Sequence, residues 1–463
     1  IIEHKRMSNT KPTINLEIVP SNVASSGTIS YKNGNPIIQF IIGEQQRALL
    51  GRTVRLVGKY RVRNDTGSAL GSYVALDDQT WQNSRLGIYS VIDQLVIKSQ
   101  ITHQTIEHIK HYNRFCSSFI PVLNSLHDGI GHLSQTALIM PNYQTFKRTV
   151  LATPAQRSSG NSFCCHLPCG LFNGIQAIPL QATKGLLVEI HLAPDNNVLY
   201  TQDGGVGLAN AYYELQDVRL VAEATAVDTD TTGTFEYNSV SSYYTSINSS
   251  NAIINFNLGL SRVLGAFMSF LPSQNINNVR QDGMSTSVLL GGTDRYLNAA
   301  SSTSSIAAVK QAVFLKGGQR FPLEYNLDTE QQNAPNDLAT AYNQQNNVDP
   351  ALQRNFMDAV KSFSNIARTQ ASTNNTFLSC PIGTLSQSNV VGGFDKTVAD
   401  GGGVHGVGVN YDSISDQGQN FSTENWGVQL ETGITQDQPH SVYLFIHAKN
   451  TLVFNQGGVQ VVS

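Results

Sequence analysis

Three of the five cysteines and one of the eleven histidines fall within SFCCHLPCGLFNG (162–174), a stretch whose residue types suggest a metal site or a reactive thiol. Its spacing argues against a metal. In an extended chain successive side chains point to opposite faces, so Phe163, Cys165 and Leu167 share one face while Cys164 and His166 share the other. Cys164, Cys165 and His166 therefore cannot converge on one ion. A tetrahedral zinc site would need Cys164 or Cys165 with Cys169 and two remote ligands, yet Cys116 and Cys380 stand singly and no second pair exists. The expectation is a structural strand whose buried thiols behave as small apolar groups.

A second cluster, HQTIEHIKH (103–111), carries three histidines and Glu107. Read as a helix, it makes His108 and His111 neighbours and sets Glu107 one turn from His111, a geometry compatible with a metal. The zincin pattern, two histidines four apart with Glu after the first, is not there. A solvated helix face is expected instead. DTDTTG (228–233) begins like a calcium loop, but Ser239 stands where the bidentate Glu belongs, so a turn between domains is expected. GGGVHG (401–406) is formally G-x-G-x-x-G, but the VGVNYDSIS that follows does not read as a helix that could receive a pyrophosphate. No G-x-S-x-G, Walker loop or paired-carboxylate arrangement occurs, although a triad assembled from distant segments would not show in sequence. Sequons at Asn64, Asn248, Asn374 and Asn420 are what an Asn/Ser/Thr-rich chain produces by chance, and they suggest surface loops at most. No catalytic, cofactor-binding or metal-ligating residue is assigned, and no cofactor is expected.

The elements that would carry these residues are mostly strands. Period-2 alternation recurs in TVRLVGKYRVR (53–63), QLVIKSQI (94–101), GLLVEIHLA (185–193), ELQDVRLVAEA (214–224), AIINFNLGL (252–260) and SVYLFIHAKNTLVF (441–454). Gly, Asn and Asp clusters separate the runs, which indicates β-sandwiches or barrels. Two segments read as helical. ALQRNFMDAVKSFSNIART (351–369) follows Asp349 as N-cap and Pro350 at the first helical position, with Leu352, Phe356, Val360, Phe363 and Ala367 in one apolar stripe. The other is TIEHIKHYNRFCSSFIPV, helical from Thr105 up to Pro121. Each helix lies between strands in its own half, so one plan is expected twice: an N-terminal arm over 1–29, a first unit over 30–228 and a second over 229–463. Polar stretches over about 271–311 and 385–435 are expected to be surface loops.

A chain of 463 residues exceeds the roughly 250–300 at which single cores stop growing, in keeping with two domains. The net charge of −3 leaves no basic surplus, so sequence-specific or bulk nucleic-acid binding is not expected. Charged residues make up only 14% of the chain, and a surface of neutral amides and hydroxyls can be buried against neighbours without stranding charges. An odd number of irregularly spaced cysteines fits a reducing compartment. No apolar run reaches the roughly 18–20 residues of a membrane span. The opening IIEHKRM reads as a processed or trimmed end with Met7 as the candidate start, and it shows no signal peptide.

The succession GIYSVIDQLVIKSQITHQTIEHIKHYNRF (87–115), LPCGLFNGIQAIPLQATKGLLVEIHLA (167–193) and YYELQDVRLVAEA (212–224) resembles the first half of double jelly-roll major capsid proteins of tailless double-stranded DNA viruses. Polinton-like viruses and virophages are the nearest group. AVFLKGGQRFPLEYNL (312–327) is similar to the start of a strand in the second half. The resemblance implies an all-β chain of two tandem eight-stranded jelly rolls with inserted helices and long loops. It further implies a homotrimeric capsomer of pseudo-hexagonal outline, with neighbouring capsomers, penton and minor capsid proteins, and an internal membrane where the virus has one, as partners in the virion. Two other readings are a glycan-binding attachment sandwich, which needs an aromatic platform, and a β-rich hydrolase, which needs a cleft with perturbed acids. Trp81 and Trp426 lie far apart, and charged residues are scarce.

Overall fold

The computed structural model describes residues 12–23, 27–64, 80–82, 87–123, 136–138, 160–201, 211–226, 233–273, 309–322, 326–328, 359–367, 407–412, 414, 417–432, 436, 439–455 and 458–463. The first half contributes strands β1 (Thr13–Ile18), β2 (Ile37–Ile42), β3 (Arg47–Asn64), β4 (Thr80–Gln82), β5 (Ile92–Ser99), β6 (Thr105–Ile109), β7 (Asn161–His166), β8 (Ile178–Pro179), β9 (Leu186–Leu192), β10 (Leu199–Thr201) and β11 (Ala211–Ala226). The second contributes β12 (Gly233–Ile247), β13 (Asn251–Phe256), β14 (Val263–Pro272), β15 (Val309–Lys316), β16 (Gln319–Arg320), β17 (Asn326–Asp328), β18 (Val407–Asn410), β19 (Trp426–Thr432), β20 (His440–Asn455) and β21 (Gly458–Val462). Helical pieces are α1 (Tyr112–Leu123), α2 (Gly170–Asn173), α3 (Asp195–Val198) and α4 (Ser364–Ala367).

Three large sheets organise the chain, besides a small β10–β4 pair. One runs β1-β11-β3-β7, with β8 also on β3, and another runs β13-β19-β15-β16, with β17 also on β15. Between them a nine-stranded sheet runs β18-β14-β20-β12-β6-β5-β9-β2, with β21 on β20. Its left half belongs to the C-terminal strands and its right half to the N-terminal ones. Strands of both halves thus share one continuous layer, beside one further large sheet from each half, as in a double jelly roll. The joint is narrow, since β6 and β12 meet in parallel at a single bridged pair, His108 with Ser241.

Alternation decides the inward face. On β2 Ile38, Phe40 and Ile42 are buried and Ile41 is exposed, so one side feeds the core while the other meets solvent. The six alternating runs named above all lie on strands: β3, β5, β9, β11, β13 and β20. The free edge of β2 is covered by a short loop. The backbone N–H of Ser21 donates to Gln39 O, and the Asn22 side chain accepts from Gln39 N and donates to Ile37 O, which occupies groups that would otherwise invite a foreign strand.

Three expectations are corrected. The segment from Thr105 begins as a strand, because Thr105, Ile106 and Ile109 are β-branched and Ile106 and Ile109 are buried. The chain then turns at His111, whose φ is 53°, and the helix runs through Pro121 to Leu123. Thr13–Ile18, inside the expected arm, is an edge strand on β11. Within the expected loop over 385–435, β18 and β19 are buried strands, hidden in the sequence by their glycines. Gly408 leaves no room for a Cβ, which would run into the backbone carbonyl of Ala266, whereas a Cβ at Gly427 would meet the end of the Asn255 side chain. Of the apolar stripe in the second helix, Val360, Phe363 and Ala367 are buried, while Leu352 and Phe356 lie outside the described residues. DTDTT (228–232) and GGGVHG (401–406) also lie outside them, and Gly233 starts β12.

Candidate functional site

The residues singled out by type gather at the joint between the rolls. Glu107 on β6 points into that joint and is only 3% exposed. Its Oε1 accepts from the backbone N–H of Gly170 at 2.9 Å and of Val240 at 2.8 Å, and its Oε2 accepts from Leu171 N–H at 2.9 Å. One carboxylate on β6 thus binds both the turn at α2 and β12 of the other roll. Gly170 is required because an added Cβ would collide with the carbonyl of Asn238 on β12. Tyr237 on β12 donates across to Ile106 O at 2.7 Å, which repeats the tie one residue away. Among the described residues no cation is a hydrogen-bond or ion-pair partner of Glu107. Burial therefore raises its carboxyl to about 7, against the pull of the three amides and of the Cys169 thiol.

The SFCCHLPCGLFNG segment supplies a second tie. As alternation requires, Phe163 and Cys165 point inward on β7 and Cys164 is exposed. Cys116, Cys164, Cys165 and Cys169 are all free thiols; burial drives Cys116, Cys165 and Cys169 far above the usual thiol range. Cys169 caps α2, its sulfur accepting from Phe172 N–H at 3.4 Å. His166 Nε2 lies 2.5 Å from Asn173 Oδ1, and its Nδ1 lies 2.9 Å from the Arg55 guanidinium and 3.2 Å from Val54 O; because Arg55 can only donate, Nδ1 accepts from it and the ring proton belongs on Nε2, toward Asn173. Burial, and then the Arg55 charge, lower this histidine to about 4. Asn173 in turn donates to Ile366 O on α4, so the chain Arg55–His166–Asn173 ends on the second roll.

Apolar contacts close the same joint. Phe115 and Phe119 of α1 pack with Phe363, Phe267 and Phe445 of the second half. Phe119 stacks on Phe363 at 4.4 Å. At the rim His111 lies edge-on to Tyr443 at 4.9 Å and Arg114 sits over the same ring. An open groove of about 300 Å³ borders the joint, lined in part by Arg52, Ile175, Phe235, Glu236 and Lys449.

Among the described residues no group of three or more His, Cys, Asp or Glu could hold a metal ion. His108 lies on a strand, hydrogen-bonded through Nε2 to Gln94, and Glu107 points into the joint, so the expected solvated helix face does not exist. Ser362 and His447 form a Ser–His contact at 3.0 Å, but both are buried, and burial lowers the histidine to about 4. The aromatic platform that a sugar would need is also missing at Trp426. Its ring is buried between Phe256 and Phe314, and its N–H donates to Tyr411 at 3.1 Å. Of the tyrosine pairs that could serve instead, Tyr212 and Tyr213 are buried, while Tyr243 is half-buried and Tyr244 is exposed, its ring against Tyr443; the Trp81 side chain lies outside the described residues. The Glu107 tie was legible only with the strand assignment: alternation in TIEHI puts Glu107 on the face of Ile109, where a lone acid needs a partner.

No family model and no curated protein sequence matches the chain. Solved structures do. A quasi-atomic model of the PBCV-1 virus capsid matches with a TM-score of 0.52 and 10% identity, over 100% of this chain and 99% of that one. The Sputnik virophage structure determined by cryo-EM gives 0.50 and 12% identity over 100% and 92%, and the Faustovirus major capsid protein gives 0.51 and 8% over 98% and 92%. The match spans both rolls and the joint between them, so the chain has the double jelly-roll fold of the major capsid proteins of these double-stranded DNA viruses.

Proposed function

We propose that the chain is the major capsid protein of a tailless double-stranded DNA virus and works by burial rather than catalysis. The observation that carries this reading is the end-to-end match to capsid subunits, with both rolls present and held as one block. In this reading the rolls divide at about residue 228, and β1 belongs to the first. Three copies give six rolls of similar footprint, hence a pseudo-hexagonal capsomer that tiles an icosahedral shell. Its partners are neighbouring capsomers, penton and minor capsid proteins, and an internal membrane where one is present. Each chain would bury more than the roughly 1,600 Å² of a standard interface against its trimer mates, while contacts between capsomers are smaller and more polar. Low charge content supports this, since few ions need to be desolvated as copies close up.

Light scattering after size exclusion tests it. The expected mass is three times the 50.3 kDa of one chain, with hexagonal outlines by electron microscopy. A stable monomer at micromolar concentration, with no hexagonal units in virus-derived material, would overturn the reading.

A further inference from the structure

The structure assigns opposite chemical fates to the chain's two Asn–Gly steps: Asn33 is the site at which the folded protein deamidates, and Asn173 is a site that reacts only after the joint has opened. Neither fate depends on a shell-forming role. The sequence holds the pair twice, as Asn33–Gly34 and Asn173–Gly174. Deamidation there needs only water. The glycine backbone nitrogen attacks the asparagine Cγ, the new C–N bond closes a cyclic imide, and the Cγ–Nδ2 bond breaks with loss of ammonia, which carries off the proton of the attacking amide. Water then opens the imide at either carbonyl and leaves aspartate or isoaspartate, with no change of oxidation state. Glycine favours the step because it has no Cβ to obstruct the attack.

The two sites differ in what holds the asparagine. Asn33 lies in an exposed turn over 31–34, and among the described residues no hydrogen bond holds its side chain. Its backbone N–H donates to Ser30 Oγ at 3.0 Å, and the Gly34 N–H donates to Tyr31 O at 3.2 Å. Cyclisation gives up that one Gly34 bond at the surface, and Gly34 stands in open space. Asn173 is the reverse. It is 6% exposed, and all four of its polar groups are occupied. Its N–H donates to Cys169 O at 3.2 Å and its backbone O accepts from Arg52 Nε at 3.1 Å. Oδ1 faces His166 Nε2 at 2.5 Å, and Nδ2 donates to Ile366 O on α4, in the second half. Attack by the Gly174 nitrogen requires the peptide and the side chain to rotate toward each other, which breaks the Arg52 bond and both side-chain bonds. The Ile366 bond spans the joint, so the reactive geometry belongs to the open state and the rate follows the fraction of molecules that are open.

Conversion at Asn173 is one-way. A carboxylate there has no N–H to give Ile366 O and sets two acceptors face to face. Isoaspartate also adds a methylene to the main chain, directly after Gly170 and Leu171, whose amides bind Glu107. A joint that has opened and reacted therefore cannot restore the Arg55–His166–Asn173 tie.

Ageing of the native full chain in warm, mildly alkaline buffer, followed by peptide mass spectrometry and isoaspartyl methyltransferase labelling, tests both fates. The reference is the same protein in guanidinium chloride, where two identical Asn–Gly steps should convert at rates within about threefold of each other. In the native protein Asn33 is expected to convert, with Asn173 slower by about tenfold or more. Phe119→Ala, which removes apolar packing at the joint, is expected to raise conversion at Asn173 and leave Asn33 unchanged. Should that variant fail to fold, native protein in denaturant below its unfolding transition replaces it. Conversion of Asn173 in the native protein at the rate of Asn33 overturns the protected site, and an Asn33 that is inert in the fold but converts in denaturant overturns the exposed one. No acceleration at Asn173, or equal acceleration at both sites, when the joint is loosened overturns the link to opening.

Discussion

Phe119→Ala probes whether the two rolls unfold as one body. The ring is fully buried and meets Phe115, Phe267, Phe363 and Phe445 at centroid distances of 5.0, 5.1, 4.4 and 6.2 Å. Three of those four partners come from the second half, although α1 belongs to the first. Transfer of a phenyl side chain to water loses about 1.5–3 kcal/mol. The cavity adds about 24 cal/mol per Å³, close to 2 kcal/mol if the ring's roughly 80 Å³ stays empty. Neighbouring rings packed on several sides cannot all collapse inward, so the expected loss is about 3–5 kcal/mol. The assay is equilibrium urea unfolding at fixed protein concentration in a Trp81→Phe background, followed by two probes. Trp426 fluorescence reports the second roll and Cys165 thiol accessibility the first. Coincident midpoints that fall together, with an unchanged slope, are expected of one cooperative unit. A fall under about 1 kcal/mol, or a shift seen by Cys165 but not by Trp426, would refute the claim that α1 cements the rolls.

Two further outcomes follow from buried polar groups. Glu214 is 2% exposed in its side chain and receives Arg61 at 2.6 Å and Arg63 at 2.9 Å, so Glu214→Gln leaves two guanidinium groups facing a neutral amide; a loss of about 3 kcal/mol in urea unfolding is expected. Of Cys116, Cys164, Cys165 and Cys169, only Cys164 is exposed, so a maleimide pulse on native protein followed by peptide mass spectrometry should modify Cys164 and spare the other three, and labelling of Cys169 at a comparable rate would contradict the capped turn at α2.

Strand alternation carried most of the fold in the sequence, because a half-buried strand writes its inward face every second residue and nothing else must be known. The inward set Phe163 and Cys165 is an example: alternation alone put both on one face. Where both faces are buried, that code disappears. The β18 strand VGVN is buried on both faces, and its one glycine, Gly408, sits at a close backbone approach, so alternation does not mark it. Misassignment of 105–109 had another cause. Thr105 to Phe119 carries apolar residues at helical steps by coincidence, since a strand and a helix are joined at His111 without Gly or Pro between them. That error concealed the key carboxylate, because a helix places Glu107 beside His111 while a strand sends it into the joint.

The joint itself explains why a charged side chain belongs in an otherwise apolar interior. Two sheets that meet edge to edge at one bridged pair offer few side chains to each other, and the backbone N–H groups of Gly170, Leu171 and Val240 are left without strand partners there. Buried amides left unpaired would cost about 1–3 kcal/mol each. An apolar plug could add contact area but would satisfy none of them. A carboxylate satisfies all three, and its bonds are directional, so they fix the angle between the rolls where apolar packing alone would tolerate slip. The Arg55–His166–Asn173 chain to Ile366 fixes the same angle from a second point. Division of labour follows: the Phe115 and Phe119 cluster supplies cohesion, and the two polar ties supply orientation. For a subunit proposed to lie six rolls to a hexagon, orientation is the stricter demand, because an angular error at each joint is repeated three times around the ring and prevents its closure.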